Sequence, residues 1–429
     1  MRQLPTGPDL GRFAQSARFH RDPLGFLRAM QGRHGDVFTL RLAIAGPMVV
    51  LAAPEAAARI VEASPTEGHA GEARRRIVQM ISPRSVLGAD EERHRSARAR
   101  LAPAFTPEAL ERQRDAIAQI AAAHAERWPR GRPFRLLPRV RTLCDDVFVR
   151  LVLGVRDDAR AQALVLAVRR MLWTPGNPPA VPPGPGAGLA GVAGERLFAR
   201  RAAPVAELLA GELEARRRAG DADGDDLVSC MLRADPPLAT DRIVDELIPV
   251  LMAGQEPPAA ALTWLLDRVA REPHAAERFA VAREDDAAWR EAFVRETLRV
   301  RPAVHSVARR LAKPLDVAGH RLPQGAVAVA PIVLLHRDPR AYPDADRFRP
   351  ERFADGAPDE TTPFLPFGGG ARRCLGEPLA HALIERAVPA ILRAIELRPL
   401  RPQPERMVVR GTVLVPHRSG LAVARTRAA

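Results

Sequence analysis

Apolar positions recur every three to four residues through much of the chain, the spacing of one buried face of an α-helix. On this pattern Pro107 to about Ala219 reads as mostly helical, and helical periods resume in "DRIVDELIPVLMAG" and "ALTWLLDRVA". "AAWREAFVRETLRV", Ala287–Val300, is a strongly amphipathic helix. "DVFTLRL" (Asp36–Leu42) and "PMVVLAA" (Pro47–Ala53), split by "AIAG", read instead as a β-hairpin. "PEAAARIVEA" then predicts a helix with proline in its first turn. "TPGNPPAVPPGPGAG", Thr174–Gly188, is too broken for either element and reads as a loop, and "DADGDD", Asp221–Asp226, as a turn. Short strands are expected in "PLDVAGHRLPQGAVAVAP", then a long coil to Cys374 and a final helix. The predicted architecture is mainly α with a small β region. It is helical over 107–300 and 376–398, and β-rich near 36–53 and 314–335. No repeat or separating linker is visible, so one domain over residues 1–429 is expected.

One stretch resists its own pattern. "LMAGQEPPAA", Leu251–Ala260, places two prolines inside an otherwise apolar helix. Pro257 and Pro258 delete the donors for the carbonyls of Ala253 and Gly254. Pro258 also disfavours the helical region for Pro257.

Composition changes this picture little. Hydrophobic residues make up 46% of the chain but aromatics only 4%, with one tyrosine, so aliphatic side chains must fill the core. The net charge of +14 is carried almost wholly by arginine. These arginines are scattered among Glu and Asp, without interleaved aromatics or a basic tail. They read as solvated faces; nucleic acid is not expected as a partner, whereas an acidic protein is compatible. Cys144, Cys230 and Cys374 are too dispersed for a disulfide framework, which fits a reducing cytoplasm. No apolar leader and no 18-residue apolar run occurs, so a soluble chain without a membrane is expected. The Ala/Arg/Pro bias points toward a GC-rich bacterial genome and specialised metabolism.

The most informative segment is "PFLPFGGGARRCLGEPLAHALIERAV", Pro363–Val388. Three glycines allow a close backbone approach. Cys374 stands just before an apolar helix and follows two arginines, both of which favour thiolate. No second Cys or His lies at zinc-ligand spacing. Single axial ligation of haem iron suits this arrangement, and a buried structural cysteine is the plainer reading.

Phe367, Gly370, Arg372, Cys374 and Gly376 spell F-x-x-G-x-R-x-C-x-G, which resembles the haem-binding signature of the cytochrome P450 family. The resemblance implies Cys374 as the iron ligand, Arg372 on a haem propionate and Phe367 beside the sulfur. "ETLR" supplies Glu296 and Arg299, the family's E-x-x-R pair, and "FRPERF" supplies Arg352 to complete a buried charge network. "HRSAR" gives His94 and Arg98, four residues apart, as further propionate contacts. Arg309 matches another, with Arg310 an adjacent competitor. The implied fold is that of the family, with haem b between a long central helix and the cysteine-ligand loop.

The implied activity is oxidation of a small organic substrate by dioxygen, with electrons from a ferredoxin and its reductase, in a monomer. Arg373 is a candidate contact for such a partner. The substrate pocket is expected between about Glu67 and Leu87, at Val250 and in "AVHSVA", including Val304, His305, Ser306 and Val307. The loop around Thr174–Gly188 is expected as a lid. "LMAGQEPPAA" falls on the family's oxygen-activation motif: Ala253, Gly254 and Glu256 match, but Pro257 replaces the threonine whose hydroxyl relays protons. Three readings follow. Glu256 and ordered water, or a substrate hydroxyl, deliver protons in a monooxygenase. Alternatively, the enzyme uses peroxide or performs another haem-thiolate reaction, such as oxidative coupling, dehydrogenation or nitrogen transfer. The third reading is a catalytically silent binding module.

Overall fold

Thirty consecutive residues, Thr240–Val269, form one helix at the centre of the protein. Apolar side chains line it nearly all round, from Ile243 to Val269, as expected for an element packed on several sides. It contacts helices Leu136–Val147, Leu189–Ala219 and Glu377–Ala394. The helix runs through Pro249, Pro257 and Pro258 without a break. Tertiary packing therefore outweighs the missing donors, the usual balance for helices inside proteins. Gly254 belongs to that packing: a Cβ there would stand 2.0 Å from the ring of Phe148, at the end of the neighbouring helix. The Trp264 indole N–H donates to the Leu414 carbonyl at 2.9 Å and ties the helix to the C-terminal hairpin.

The structure, a computed structural model, describes residues 4–43, 45–78, 81–172, 189–354 and 363–427. The expected loop and lid at Thr174–Gly188 lie outside the described residues. The predicted hairpin is present as Val37–Leu42 and Gly46–Leu51, paired from Val37↔Leu51 to Leu42↔Gly46. It continues as a five-stranded sheet through Val327–Ala330, Val307–Leu311 and Gly68–His69, with a parallel pair at Val49↔Ala328. Helix Pro54–Val61 has proline in its first turn, and helix Ala287–Val300 has the predicted limits.

Several boundaries differ from expectation. The second β region begins at Val307, earlier than 314, and gives way to a helical turn, Ile332–Leu335. The last helix stops at Ala394, because Ile395–Pro399 is a strand paired with Leu421–Thr426. That pairing, with Pro133–Arg135 on its other edge, forms a C-terminal sheet the apolar period did not reveal. Met407–Arg410 and Val413–Pro416 form a further hairpin. The main core joins the helices around the central one. A second core, with Phe26, Phe38 and Val329, lies beneath the N-terminal sheet.

Candidate active site

Cys374 ends a segment that folds back on itself. Its N–H donates to the Phe367 carbonyl at 2.9 Å, and the Gly368 N–H donates to Leu365 at 3.1 Å. The glycine run does approach a neighbour closely, but that neighbour is helix Pro54–Val61. A Cβ on Gly369 would lie 2.6 Å from Val61 Cγ1, and one on Gly370, at φ +59°, 2.9 Å from the Val61 carbonyl oxygen. Gly370 thus sets the loop against this helix and does not line the cavity described below. Helix Glu377–Ala394 follows Gly376, so the sulfur stands near its positive end.

The thiol is exposed, yet its surroundings are protein, because its open side is a cavity wall. Burial raises its pKa above the ordinary value; the Gly376 N–H, Arg98 and Arg74 act in the opposite direction. The two preceding arginines do not provide the expected help. Arg372 turns to Asp90 at 2.5 Å, and Arg373 forms a two-pronged pair with Glu377 at 2.6 Å.

The cavity has a volume of about 1490 Å³. At the sulfur end it is lined by Arg74, His94, Arg98, Arg309 and Arg372. His94 and Arg98 share helix Glu91–Leu101. His94 is buried, not a surface histidine, and burial, then Arg372, Arg98 and Arg74, lower its pKa to about 4. Strand alternation chooses between the adjacent arginines. Arg309 points inward, donating to the carbonyls of Ala308 and Val61 at 3.1 Å, while Arg310 points to Glu72 at 2.5 Å. Arg74, which the sequence reading passed over, donates to the Leu87 carbonyl at 3.3 Å. It follows Ala70 and Ala73 on the inward stripe of helix Ala70–Ile77, a period that marks it among three consecutive arginines.

This cluster carries an excess of positive charge. Asp90 accepts from the N–H groups of Gly71 and Glu72, both at 2.8 Å, and from Arg372, and the adjoining Glu72 carboxylate is engaged by Arg310 and His69. Burial lowers the pKa of Arg309 and of Arg372 to about 10. Four guanidinium groups and an imidazole, beside carboxylates that are already engaged, suit a ligand with two carboxylates of its own. With a thiol sulfur on the same wall, the residues fit haem b and its propionates.

The predicted charge network lies outside the cavity and behind the cysteine segment. Glu296 and Arg299 are wholly buried and form two parallel bonds, at 2.6 and 2.8 Å. Arg299 also donates to the carbonyls of His336, Ala345 and Arg347, at 2.7, 2.8 and 3.1 Å. Glu296 accepts from the Arg349 N–H at 2.7 Å. Arg352 approaches Glu296 at 3.5 Å as an ion pair and donates instead to the Asp344 carbonyl at 2.9 Å. His336 extends the network toward the sulfur. Its Nε2 accepts from the Leu365 N–H at 2.7 Å, its Nδ1 faces the Arg299 carbonyl at 3.3 Å, and its ring stacks on Phe364. Both contacts require the neutral Nδ1–H ring, and burial lowers its pKa to about 3.

The central helix forms another wall, with Val250, Ala253, Gly254, Glu256 and Pro257. The Glu256 carboxylate meets Arg141 at 2.5 Å, a partner the sequence reading did not identify. Val304, His305, Ser306 and Val307 also face the cavity. His305 Nδ1 and Ser306 Oγ are 2.7 Å apart, and burial, then His20, lower the His305 pKa to about 4. Arg74 to Leu87 supply lining residues, as expected of the segment after Glu67.

Comparison with known proteins gives a consistent result. The sequence model of the family described as "Cytochrome P450" matches residues 2–423. A Mycobacterium tuberculosis chain assigned as cytochrome P450 135B1 is 36% identical, covering 97% of this chain and 90% of its own. Another from the same organism, assigned as 135A1, is 35% identical over 90% of this chain and 86% of its own. Among solved structures, the retinoic acid-bound cyanobacterial CYP120A1 superposes with a TM-score of 0.81 at 22% identity, covering 99% of this chain and 100% of its own. A mutant of P450 EryK in complex with erythromycin B gives 0.74 at 20% identity, covering 97% and 99%.

Proposed function

The chain belongs to the cytochrome P450 family, and from that premise we propose a monooxygenase that oxidises a small organic substrate, a specialised metabolite, with dioxygen and externally supplied electrons. The observation carrying this reading is the Cys374 sulfur in one cavity with a basic cluster whose nearby carboxylates, among the described residues, are already engaged. Haem b held there would supply dioxygen binding and oxygen transfer. Cys374 Sγ would hold the iron. Arg74, His94, Arg98, Arg309 and Arg372 hold the propionates. Phe367 and Gly376 flank the sulfur, and the Glu296–Arg299–Arg352 network with His336 keeps the ligand segment in place. The whole chain acts as one haem domain.

Proton delivery departs from the family pattern. Pro257 offers no hydroxyl, so the proposed carriers are Glu256 and water. The carbonyls of Ala253 and Gly254, without proline donors, are acceptors that can hold that water or a substrate hydroxyl. Glu256 must leave Arg141 to take part. The same proline favours a second reading: direct use of peroxide, or a coupling, dehydrogenation or nitrogen-transfer reaction that needs no such relay. A silent haem-binding module is the third.

A ferredoxin with its reductase is the proposed electron source, supported by the net charge of +14. No helix of the described residues is long and apolar enough to cross a membrane, and a cytoplasmic location is proposed. The first test is the reduced carbon monoxide complex, expected to absorb at about 450 nm through axial thiolate. Cys374→Ala should abolish that band; its survival would show that the ligand lies elsewhere. Turnover with reductase and ferredoxin, compared with turnover by hydrogen peroxide, then separates the first two readings. Tight substrate binding with turnover by neither supports the third.

A further inference from the structure

A second basic cluster lines the same cavity, and the haem reading does not use it. Arg135 ends strand Pro133–Arg135, Arg141 lies on helix Leu136–Val147, Arg410 ends the first strand of the hairpin Met407–Pro416, and Arg418 follows that hairpin. Arg169 and Arg170 face them from helix Asp158–Leu172. Among the described residues two carboxylates join these six arginines along the cavity, and each is already engaged: Glu256 with Arg141 at 2.5 Å and Asp145 with Arg169 at 2.7 Å. The expectation that the arginines form solvated faces fails here for Arg141, Arg169 and Arg410, which are part-buried, while Arg135, Arg170 and Arg418 are exposed at the cavity wall.

Arg410 is the clearest case. It is half-buried and donates to Ser419 Oγ and the His417 carbonyl, both at 3.0 Å. Among the described residues no carboxylate lies within ion-pair distance of it. Burial lowers its pKa, and its strongest charged neighbours, Arg141 and Arg135, push in the same direction. Arg135 has no side-chain bond to any described residue. Cations gathered at one end of a partly enclosed cavity focus a field that attracts an anion, and guanidinium forks match carboxylate and phosphate oxygens. Between this cluster and Cys374 the wall is largely apolar, with Val250, Ala253, Ala261 and Val304.

We propose that Arg135 and Arg410, with their arginine neighbours, bind the headgroup of the substrate, an apolar small molecule carrying one oxyanion, carboxylate or phosphate. This rests on the oxygenase reading and narrows its substrate class. The oxyanion sits against Arg410 and Arg135, and the apolar body lies along the central helix toward the sulfur.

The test uses holoenzyme titrated with dodecanoate, dodecyl phosphate and 1-dodecanol, and with shorter and longer members of each series. The Soret shift and isothermal calorimetry are followed in parallel. At least one anion series should bind about tenfold more tightly than the alcohols in about 0.02 M salt, and that advantage should shrink in about 0.5 M salt. Which series leads distinguishes carboxylate from phosphate. Arg410→Gln and Arg135→Gln should each weaken the preferred anion by about fivefold or more while moving 1-dodecanol by less than about twofold. Equal binding of alcohols and anions, no anion binding at any chain length, or equal weakening of all probes by both variants overturns the proposal. The band at about 450 nm is read on the same samples. Its presence with no anion preference rejects the headgroup site alone. Its absence rejects the Cys374 assignment, while calorimetry still decides the headgroup site.

Discussion

His336→Phe isolates the hydrogen bonds through which the buried charge network reaches the cysteine segment. Phenylalanine keeps a flat ring against Phe364 and removes both nitrogens. The Leu365 N–H then loses the acceptor it has at 2.7 Å, and the Arg299 carbonyl loses the Nδ1–H at 3.3 Å. An orphaned buried N–H costs about 1–3 kcal/mol, and the longer contact adds about 1, giving about 2–4 kcal/mol. Confined to the loop, this raises the population with Leu365 detached by roughly 30- to 900-fold. The pH dependence supplies an independent check. The folded pKa of His336, about 3, lies below its ordinary 6.5, so the unfolded chain takes up this proton first. Stability from the neutral ring is therefore complete above pH ~6.5 and is lost as pH falls toward ~3, by about 2 kcal/mol between pH ~7 and ~5. The phenylalanine variant escapes that loss, so its deficit should narrow at the lower pH. Urea unfolding of the holoenzyme, followed by the Soret band at both pH values, measures each quantity. The fraction of carbon monoxide complex that loses the band at about 450 nm reports whether the thiolate ligand has been displaced. A variant within about 0.5 kcal/mol of the parent at neutral pH, or one with the parent's pH slope, would refute this role.

Glu296→Gln and Arg299→Lys should each cost about 3–5 kcal/mol, since either leaves a buried charge or fork without its partners. Little or no holoenzyme should be recovered, and a normal yield with normal unfolding would contradict that estimate. Gly254→Ala pits about 1–3 kcal/mol of overpacking against Phe148 against a helix-propensity gain of up to about 1 kcal/mol. A net loss is expected in thermal unfolding, with partial recovery on adding Phe148→Leu; an unchanged melting temperature would show that the ring moves freely. Pro257→Thr should raise the product formed per electron consumed in the monooxygenase reading, and an unchanged ratio would argue against a missing relay.

Elements were legible in the sequence where the periodic pattern was long and locally bounded. Helix Ala287–Val300 has a continuous helical period with its apolar positions buried, and the hairpin Val37–Leu51 has its strand pattern on both sides of a short turn. The C-terminal sheet was not legible, because "AILRAIELRPL" keeps an apolar period across the point where helix becomes strand. What decides the change is pairing of Ile395–Pro399 with Leu421–Thr426, a contact between segments distant in the chain. The central helix failed in the opposite sense. Local rules break it at Pro257 and Pro258, yet packing around Gly254 and Trp264 holds it together.

The candidate site divides along a similar line. Motif spacing named the sulfur, the buried pair and most of the first basic cluster, because those residues stand at set intervals. It chose Arg309 but left Arg310 as an adjacent competitor, since strand Val307–Leu311 had not been read and alternation along a strand is what separates them. Arg74, His336, Arg141 and Arg410 carry no interval of their own. The first three acquire meaning from neighbours further along the chain, Asp90, Leu365 and Glu256 respectively, and Arg410 from Ser419, across the turn that follows its hairpin. The prolines belong with this second group. Alone they signal a damaged helix. Beside Glu256 and Arg141 they mark where two carbonyls lose their donors along the cavity wall. That wall is the one the proposed anionic substrate would follow between Arg410 and Cys374. A substrate held at its headgroup presents its apolar body to those carbonyls at a set depth. The headgroup site and the missing threonine are therefore coupled: where the anion anchors decides whether a substrate hydroxyl can reach the place of the absent one. Comparing product per electron for anionic and neutral substrates of equal length, in the parent and in Arg410→Gln, tests that coupling. If anchoring positions the hydroxyl, the variant should lower the ratio for the anion alone; a ratio independent of headgroup would separate the two features.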